Sequence, residues 1–329
     1  MKKFLPAFAG ALGLLAALPA AANPLHKTEC IAPAKPGGGF DLTCKLANSM
    51  LQDAKLIQDP MRTTFMPGGI GAVAYNSIVA QRPGEPNVIV AFSGGSLLNL
   101  AQGKFGRYNE NDVRWVAAIG ADYGAVLVKK DSPFNTLKDL EAALKKEPNK
   151  VIFGAGGTVG SQDWMKAALT ARAAGLDYKG MRFVAFEGGG EAMTALMGGH
   201  VQVYAGDASE AAQQIEAGAP VKILAVMSDK RLPGKLASVP TAKEQGYDIN
   251  WPIIRGFYVG PKVSDADYKT WVDAFNKAMA APGYAQLREQ RGLFPYTMTG
   301  AELDAFVKSS TQSYRKLAEQ FNLNVTKQQ

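Results

Sequence analysis

The sequence predicts an α/β protein of two lobes, each a mostly parallel sheet flanked by helices, and three observations predict it. Apolar runs of strand length alternate with helical periodicity along most of the chain, the pattern of βαβ units that place parallel strands between helices. The chain has 329 residues, more than one hydrophobic core usually supports, so two domains are expected. Glycine clusters recur where the strands end, beginning with PGGGFD at Pro36–Asp41.

The elements follow in order. Strands are expected at Glu29–Ala34, Arg62–Met66 and Asn87–Phe92, with helices at Asp41–Lys55 and Gly71–Gln81 between them. The alternation resumes with strands at Ala125–Lys129, Lys150–Phe153, Met181–Phe186, Val201–Tyr204 and Val221–Val226. Helices are expected between these at Leu137–Lys146, Gln162–Ala174, Ala192–Met197 and Ala208–Ala217. The tail is mainly helical, at Asp265–Ala280, Tyr284–Gln290 and Ala301–Phe321, with short strands at Gly256–Gly260 and Leu293–Thr297.

Five strand-to-helix turns are rich in glycine: Pro36–Asp41, Pro67–Gly71, Ser93–Ser96, Gly154–Ser161 and Glu187–Gly190. Glycine alone makes tight turns, which accounts for one or two of them. Five in two halves of a chain read as two facing walls of bare backbone, because helix N-termini offer unpaired N–H groups to an anion beyond the carboxyl ends of strands. The anion is not a nucleotide held by a Walker loop, since no GxxxxGK[ST] occurs.

The N-terminus sets the compartment. Lys2 and Lys3 precede an apolar stretch that ends at Ala20-Ala21-Ala22, the arrangement of a secretory signal cleaved near Ala22. A membrane anchor is the competing reading, but spanning takes about 20 apolar residues and a stop-transfer pattern is missing. Removal of residues 1–22 lowers the formal charge from +7 to +5. That mild excess suits an anionic ligand or a solvated basic surface, and the absence of a basic cluster argues against nucleic acid. Two cysteines, Cys30 and Cys44, flank the first glycine turn. In an oxidising compartment they read as a disulfide, with two buried thiols as the alternative.

Enzyme readings find little material. Gly69-Ile70-Gly71-Ala72-Val73-Ala74 satisfies a loose GxGxxA, but the following strand ends in Ser93-Gly94-Gly95-Ser96 rather than in the acid a ribose needs. His26 and His200 are the only histidines, and no GxSxG is present, so neither a Ser-His-Asp system nor a histidine metal site is expected, and no cofactor. An acid-base pair of Asp41 and Glu187 is the remaining enzymatic alternative, an exported enzyme acting on a small organic acid. Asp41 reads first as the cap of the helix that follows it, and Asp207 as the cap of Ala208–Ala217. Lys35 and Arg255 are the cations nearest the predicted cleft. Both are read either as solvated charges or as partners for a ligand carboxylate, Arg255 the better placed because its planar fork suits one.

The segments CIAPAKPGGGFDLTCKLA, GTVGSQDWM, EGGGEAMTALMGGHVQV, SVPTAKEQGYD and WPIIRGFYVGPKV, in this order, resemble the substrate-binding receptors of tripartite tricarboxylate transporters, the Bug family, and within it the branch associated with citrate. The chain departs from the commoner pattern at Phe40, where threonine often precedes the aspartate, and at Gln162-Asp163, near which many members carry a histidine. The resemblance implies a two-lobed periplasmic binding protein, a venus flytrap of type II-like form, without catalytic activity. It implies a small carboxylate held between the lobes largely by backbone N–H groups and water, then delivered to the membrane components of the transporter. Carried onto this sequence, one wall is Gly38, Gly39, Phe40 and Asp41, and the opposing wall is Gly156, Gly157, Thr158, Val159, Gly160 and Ser161. Ser93 and Ser96 are expected as hydroxyl donors, Gly188, Gly189 and Gly190 as further N–H donors, and Asp207 and Arg255 as side chains at the site. Lobe one is expected at 23–124 and 246–329, lobe two at 125–245, and the protein is expected to be a monomer. The ligand is expected to be citrate or a related tricarboxylate, with a C4-dicarboxylate as the alternative.

Overall fold

The computed structural model describes residues 25–325; the expected signal segment lies outside the described residues. The chain runs β1 (Glu29–Ala32), α1 (Gly39–Asp53), β2 (Arg62–Phe65), α2 (Ala72–Ala80), β3 (Val88–Ser93), α3 (Gly94–Ala101) and β4 (Arg114–Lys129). It continues through α4 (Leu137–Lys146), β5 (Ile152–Gly156), α5 (Gln162–Ala173), β6 (Arg182–Phe186), α6 (Gly189–Met197), β7 (Val203–Asp207), α7 (Ala208–Glu216) and β8 (Val221–Met227). The tail supplies β9 (Pro252–Val259), α8 (Asp265–Ala280), α9 (Tyr284–Gln290), β10 (Phe294–Thr299) and α10 (Gly300–Gln320).

The strands form one curled mixed sheet in the order β2-β1-β3-β9-β4-β7-β5-β6, with β10 and β8 also paired to β4. Its outer strands are parallel, β2-β1-β3 on one side and β7-β5-β6 on the other, as the alternation predicts. The strands between them are antiparallel, and β4 carries the sheet from one half to the other. Residues Arg114–Tyr123 pair with β9, whereas Gly124–Lys129 pair with β7 and β8.

Local chemistry explains the elements. All six residues of β3, Val-Ile-Val-Ala-Phe-Ser, are buried, as expected for a strand covered on both faces. In α4 the buried residues Leu137, Leu140 and Leu144 make one stripe behind a capping box of Thr136 and Asp139. In α8 Ser264 caps the start, and Trp271, Ala274, Phe275 and Ala278 face the core. Two features have no counterpart in the sequence pattern. In the first ten residues of β4, Gly120 and the small Ala117-Ala118 break the apolar run, and α3 is hidden by glycine at its first two positions, where helix propensity is poorest.

Clusters of buried apolar residues cover each half of the sheet. α8 and α9 pack on α1, and α10 packs on α3. The end of α10 also reaches the second half, where Phe321 lies against Trp164 and Tyr178 and its carbonyl accepts the Tyr178 hydroxyl at 3.1 Å. Among the described residues no helix is long and apolar enough to cross a membrane.

Candidate ligand-binding cleft

The turn after β1 builds the first wall. α1 begins at Gly39 with Gly38 as its N-cap in extended conformation and without a side-chain cap. The first-turn amides of Gly39, Phe40 and Asp41 therefore have no acceptor within the helix. Asp41 is not the cap expected from the sequence. It is the third residue of the helix, and its Oδ2 accepts from the Gly37 amide and from Lys45, each at 2.9 Å. The helix starts two residues earlier than expected, with Asp41 inside its first turn reaching back to the Gly37 amide instead of capping from outside. The Cys30–Cys44 disulfide forms and ties β1 to α1 on either side of the turn. Ser93 and Ser96 make a capping box at the start of α3; each oxygen accepts a backbone N–H, and a hydroxyl that accepts still holds a hydrogen to donate.

The second wall is only partly bare backbone. The Gly156 amide donates to Asp163 Oδ2 at 2.8 Å, Gly157 to the Phe186 carbonyl at 2.7 Å, and Ser161 to the Thr158 carbonyl at 2.9 Å. Ser161 Oγ caps α5 by accepting from Trp164, and Val159 is exposed. The donors at Gly156, Gly157 and Ser161 are thus engaged by α5, β6 and the turn itself. α6 behaves differently: Gly188 is its N-cap, with no side-chain cap, and the amides of Gly189, Gly190 and Glu191 lie in its first turn. A Cβ added to Gly38 would sit 3.5 Å from the Gly190 nitrogen and 3.7 Å from that of Gly189, and one added to Gly190 would sit 2.7 Å from the Pro36 carbonyl. The N-termini of α1 and α6 abut across the cleft with only glycine between them.

Beneath this junction lies a buried ionic floor. Arg255 donates to Asp122 at 3.1 Å and to Asp207, while Lys166 contacts Asp207 at 2.6 Å and Asp163 at 2.9 Å. All five are buried. Asp207 occupies the N-cap position of α7 without capping it, because two buried cations claim its carboxylate. Burial pushes Asp207 upward, but Lys166 and Arg255 outweigh it and hold the group below its ordinary range. Burial wins at Asp122 and Asp163, whose carboxyls are raised despite Arg255 and Lys166 respectively. Glu210, also buried, is raised well above its usual value by burial and then by Asp207 and Asp163, and its Oε1 has no hydrogen-bond partner. Gly39 is the lid of the floor: a Cβ there would fall on the Arg255 guanidinium. The space left above the floor is about 50 Å³, lined by Gly38, Gly39, Ser93, Gly156, Gly188 and Arg255 among others.

Ile70 lines both this space and a larger cavity of about 410 Å³ at the cleft mouth, bounded by Asn99, Lys104, Gly157, Thr158 and Ser161. Side chains from the end of α3 cross the mouth. Gln102 donates to the Gly160 carbonyl at 2.7 Å, and Lys104 donates to the Val159 carbonyl. Lys35 crosses as well, paired with Glu191 at the surface. Of the two cations singled out in the sequence, Lys35 is neutralised by Glu191 and Arg255 by Asp122 and Asp207. Asn99, Gln102 and Lys104 are additions that the sequence does not signal, because α3, which positions them, has no counterpart in the sequence pattern. Two other cavities, of about 390 and 450 Å³, lie elsewhere, and none of the five glycine-rich turns lines either.

The sequence profile of the Tripartite tricarboxylate transporter family receptor matches residues 67–323. The chain belongs to this receptor family. Curated relatives include the UPF0065 protein of the gbd 5′ region of Cupriavidus necator, 26% identical over 95% of this chain and 94% of the relative. A UPF0065 protein of Bordetella pertussis is 22% identical over 91% of each. Among solved structures, the periplasmic binding protein BugD superposes with a TM-score of 0.79 at 20% identity, covering 92% of this chain and 99% of that one. MatC of Rhodopseudomonas palustris with bound malate gives 0.76 at 19% identity, covering 90% and 99%. An R. palustris protein with adipate gives 0.80 at 17%, covering 92% and 99%. The fold is that of a two-lobed periplasmic binding protein. Receptors of this family are periplasmic solute-binding proteins and not enzymes, and they work with a tripartite transporter in the membrane.

Proposed function

We propose that this receptor captures a small polycarboxylate, citrate or a related tricarboxylate, between its lobes and presents it to the membrane components of its transporter. The observation that carries the reading is the junction of α1 and α6. Two helix N-termini, each a partial positive charge with unpaired first-turn amides, abut through glycine alone. Such poles repel each other until an anion lies between them. Malate and adipate in the related R. palustris proteins support a carboxylate as that anion. The choice of a tricarboxylate rests on the citrate-branch resemblance of the quoted segments, and the two neighbours' ligands favour a dicarboxylate as the second reading.

In this reading one lobe is 23–124 with 246–329 and the other is 125–245, the signal is removed near Ala22, and the receptor acts as a monomer. The ligand contacts are Gly38, Gly39, Phe40 and Asp41 from one wall, Gly188, Gly189 and Gly190 from the other, and hydroxyls from Ser93, Ser96, Thr158 and Ser161. Asp207 and Arg255 support the floor beneath them. A space of about 50 Å³ above the floor is too small for a polycarboxylate, so capture requires the lobes to part, turning where β4 changes partners at Gly124. A thermal-shift panel of mono-, di- and tricarboxylates on the mature protein tests the proposal. A ligand at 100 times its Kd is expected to stabilise by about 2.7 kcal/mol; a panel in which no carboxylate moves the midpoint overturns it.

A further inference from the structure

Anion capture by amides alone leaves a second carboxylate without a counter-charge, and both cations that the sequence offers for it are already taken. Lys104 is different. It stands just beyond the C-terminal end of α3, and its ammonium reaches across the cleft mouth to the Val159 carbonyl. It lines the 410 Å³ cavity with Asn99, Thr158 and Ser161. No carboxylate among the described residues pairs with it. The acids on the same cavity are Glu187, exposed to solvent, and Glu191, engaged by Lys35. Beside it, Asn99 Oδ1 is buried with no hydrogen-bond partner, so the inner face of the cavity holds an unmet polar group that a ligand hydroxyl or a protonated carboxyl satisfies.

We propose that Lys104 determines specificity, its ammonium receiving the second carboxylate of a di- or tricarboxylate whose first carboxylate lies between the amides of α1 and α6. The inference rests on the carboxylate-receptor reading and adds the group that tells a polycarboxylate from a monocarboxylate. The two cavities adjoin at Ile70, so one ligand spans them. An ammonium has three donors; one serves Val159, which leaves two for a ligand. The free lysine is also primed to respond to an anion. Burial pushes it down to about 8, with no charged neighbour to oppose the shift. A ligand carboxylate beside it favours the charged form and raises it again. Binding near pH 8 therefore takes up protons, and affinity falls as pH rises above 8.

Calorimetry on the mature protein tests this with citrate, malate, adipate and, as the partner of adipate lacking one carboxylate, hexanoate. Titrations at pH 8 in buffers of different ionisation enthalpy count the protons. Lys104→Met is expected to weaken the tightest polycarboxylate by roughly 10- to 100-fold, the loss of one charge-assisted contact. It should also abolish proton uptake and leave the unfolding midpoint of the unliganded protein unchanged. Lys104→Arg keeps the charge and should restore most of the affinity. Polycarboxylate affinity retained in Lys104→Met, or lost with proton uptake intact, makes Lys104 a latch on Val159 and overturns the proposal. Binding of hexanoate as tightly as adipate by the wild type also overturns it while leaving the carboxylate reading in place. Failure of every carboxylate to bind the wild type removes both.

Discussion

The floor and the mouth of the cleft are both charged, and they use charge in opposite ways. At the floor, Asp122, Asp163, Lys166, Asp207, Glu210 and Arg255 are buried together, and Asp163, Asp207, Glu210 and Arg255 line the space of about 50 Å³ above them. Their ion pairs cross from β9 to β4 and β7 and from α5 to β7, so the charges join elements of both halves of the sheet. At the mouth, Lys104 faces about 410 Å³ with a carbonyl as its partner. A buried ion already surrounded by counter-ions has little left for a ligand, and removing one member strands the others. A half-buried ion without a counter-ion costs the protein less and is available. Charge near a cleft is thus no measure of its use in binding.

The largest test of that contrast is Arg255→Met. Breaking a buried pair should cost about 3–5 kcal/mol in urea unfolding, with ligand affinity falling only as folding fails. A variant that is within about 1 kcal/mol of wild type and yet loses binding would turn Arg255 from scaffold into ligand contact.

Glu210→Gln sharpens the same comparison from the acid side. The Glu210 carboxyl is held above its usual 4.5 by burial, Asp207 and Asp163. The folded state therefore keeps its proton longer than the unfolded chain does. The stability this group contributes is fully present below about pH 4.5 and declines as pH rises toward its folded value. Glutamine is neutral throughout, so the variant should gain in melting temperature relative to wild type as pH increases. Parallel pH profiles for the two proteins would show that Glu210 is not the group responsible.

The smallest expected change in stability comes at the junction between the walls. Gly190 lies inside α6, where alanine is favoured over glycine by up to about 1 kcal/mol, but the new methyl would meet the Pro36 carbonyl across the cleft at 2.7 Å. Gly190→Ala should leave the melting temperature equal or higher while weakening ligand binding, as the lobes no longer close. Unchanged affinity would mean that the walls need not touch in the bound receptor.

Much of this is legible in the sequence. The alternation of strand and helix needs only local periodicity, and α4 and α9 fall on the residues expected from it. The glycine-rich turns are legible because glycine is conspicuous, and the disulfide because Cys30 and Cys44 have no other partner to choose. Three things were decided by tertiary structure alone. β4 pairs in both halves of the sheet through one strand of 16 residues, and pairing between segments distant in sequence leaves no local signature. Asp207 has the residue type of a cap, yet Lys166 and Arg255, 41 and 48 residues away along the chain, take its carboxylate. Which cation stays unpaired depends on acids distant along the chain, with Asp122 reaching Arg255 across 133 residues. The sequence thus determined that backbone would line a cleft, since glycine acts where it stands. Only the fold decided which charges are spent within the protein and which face the ligand, because electrostatic pairing depends on distance in space and on burial.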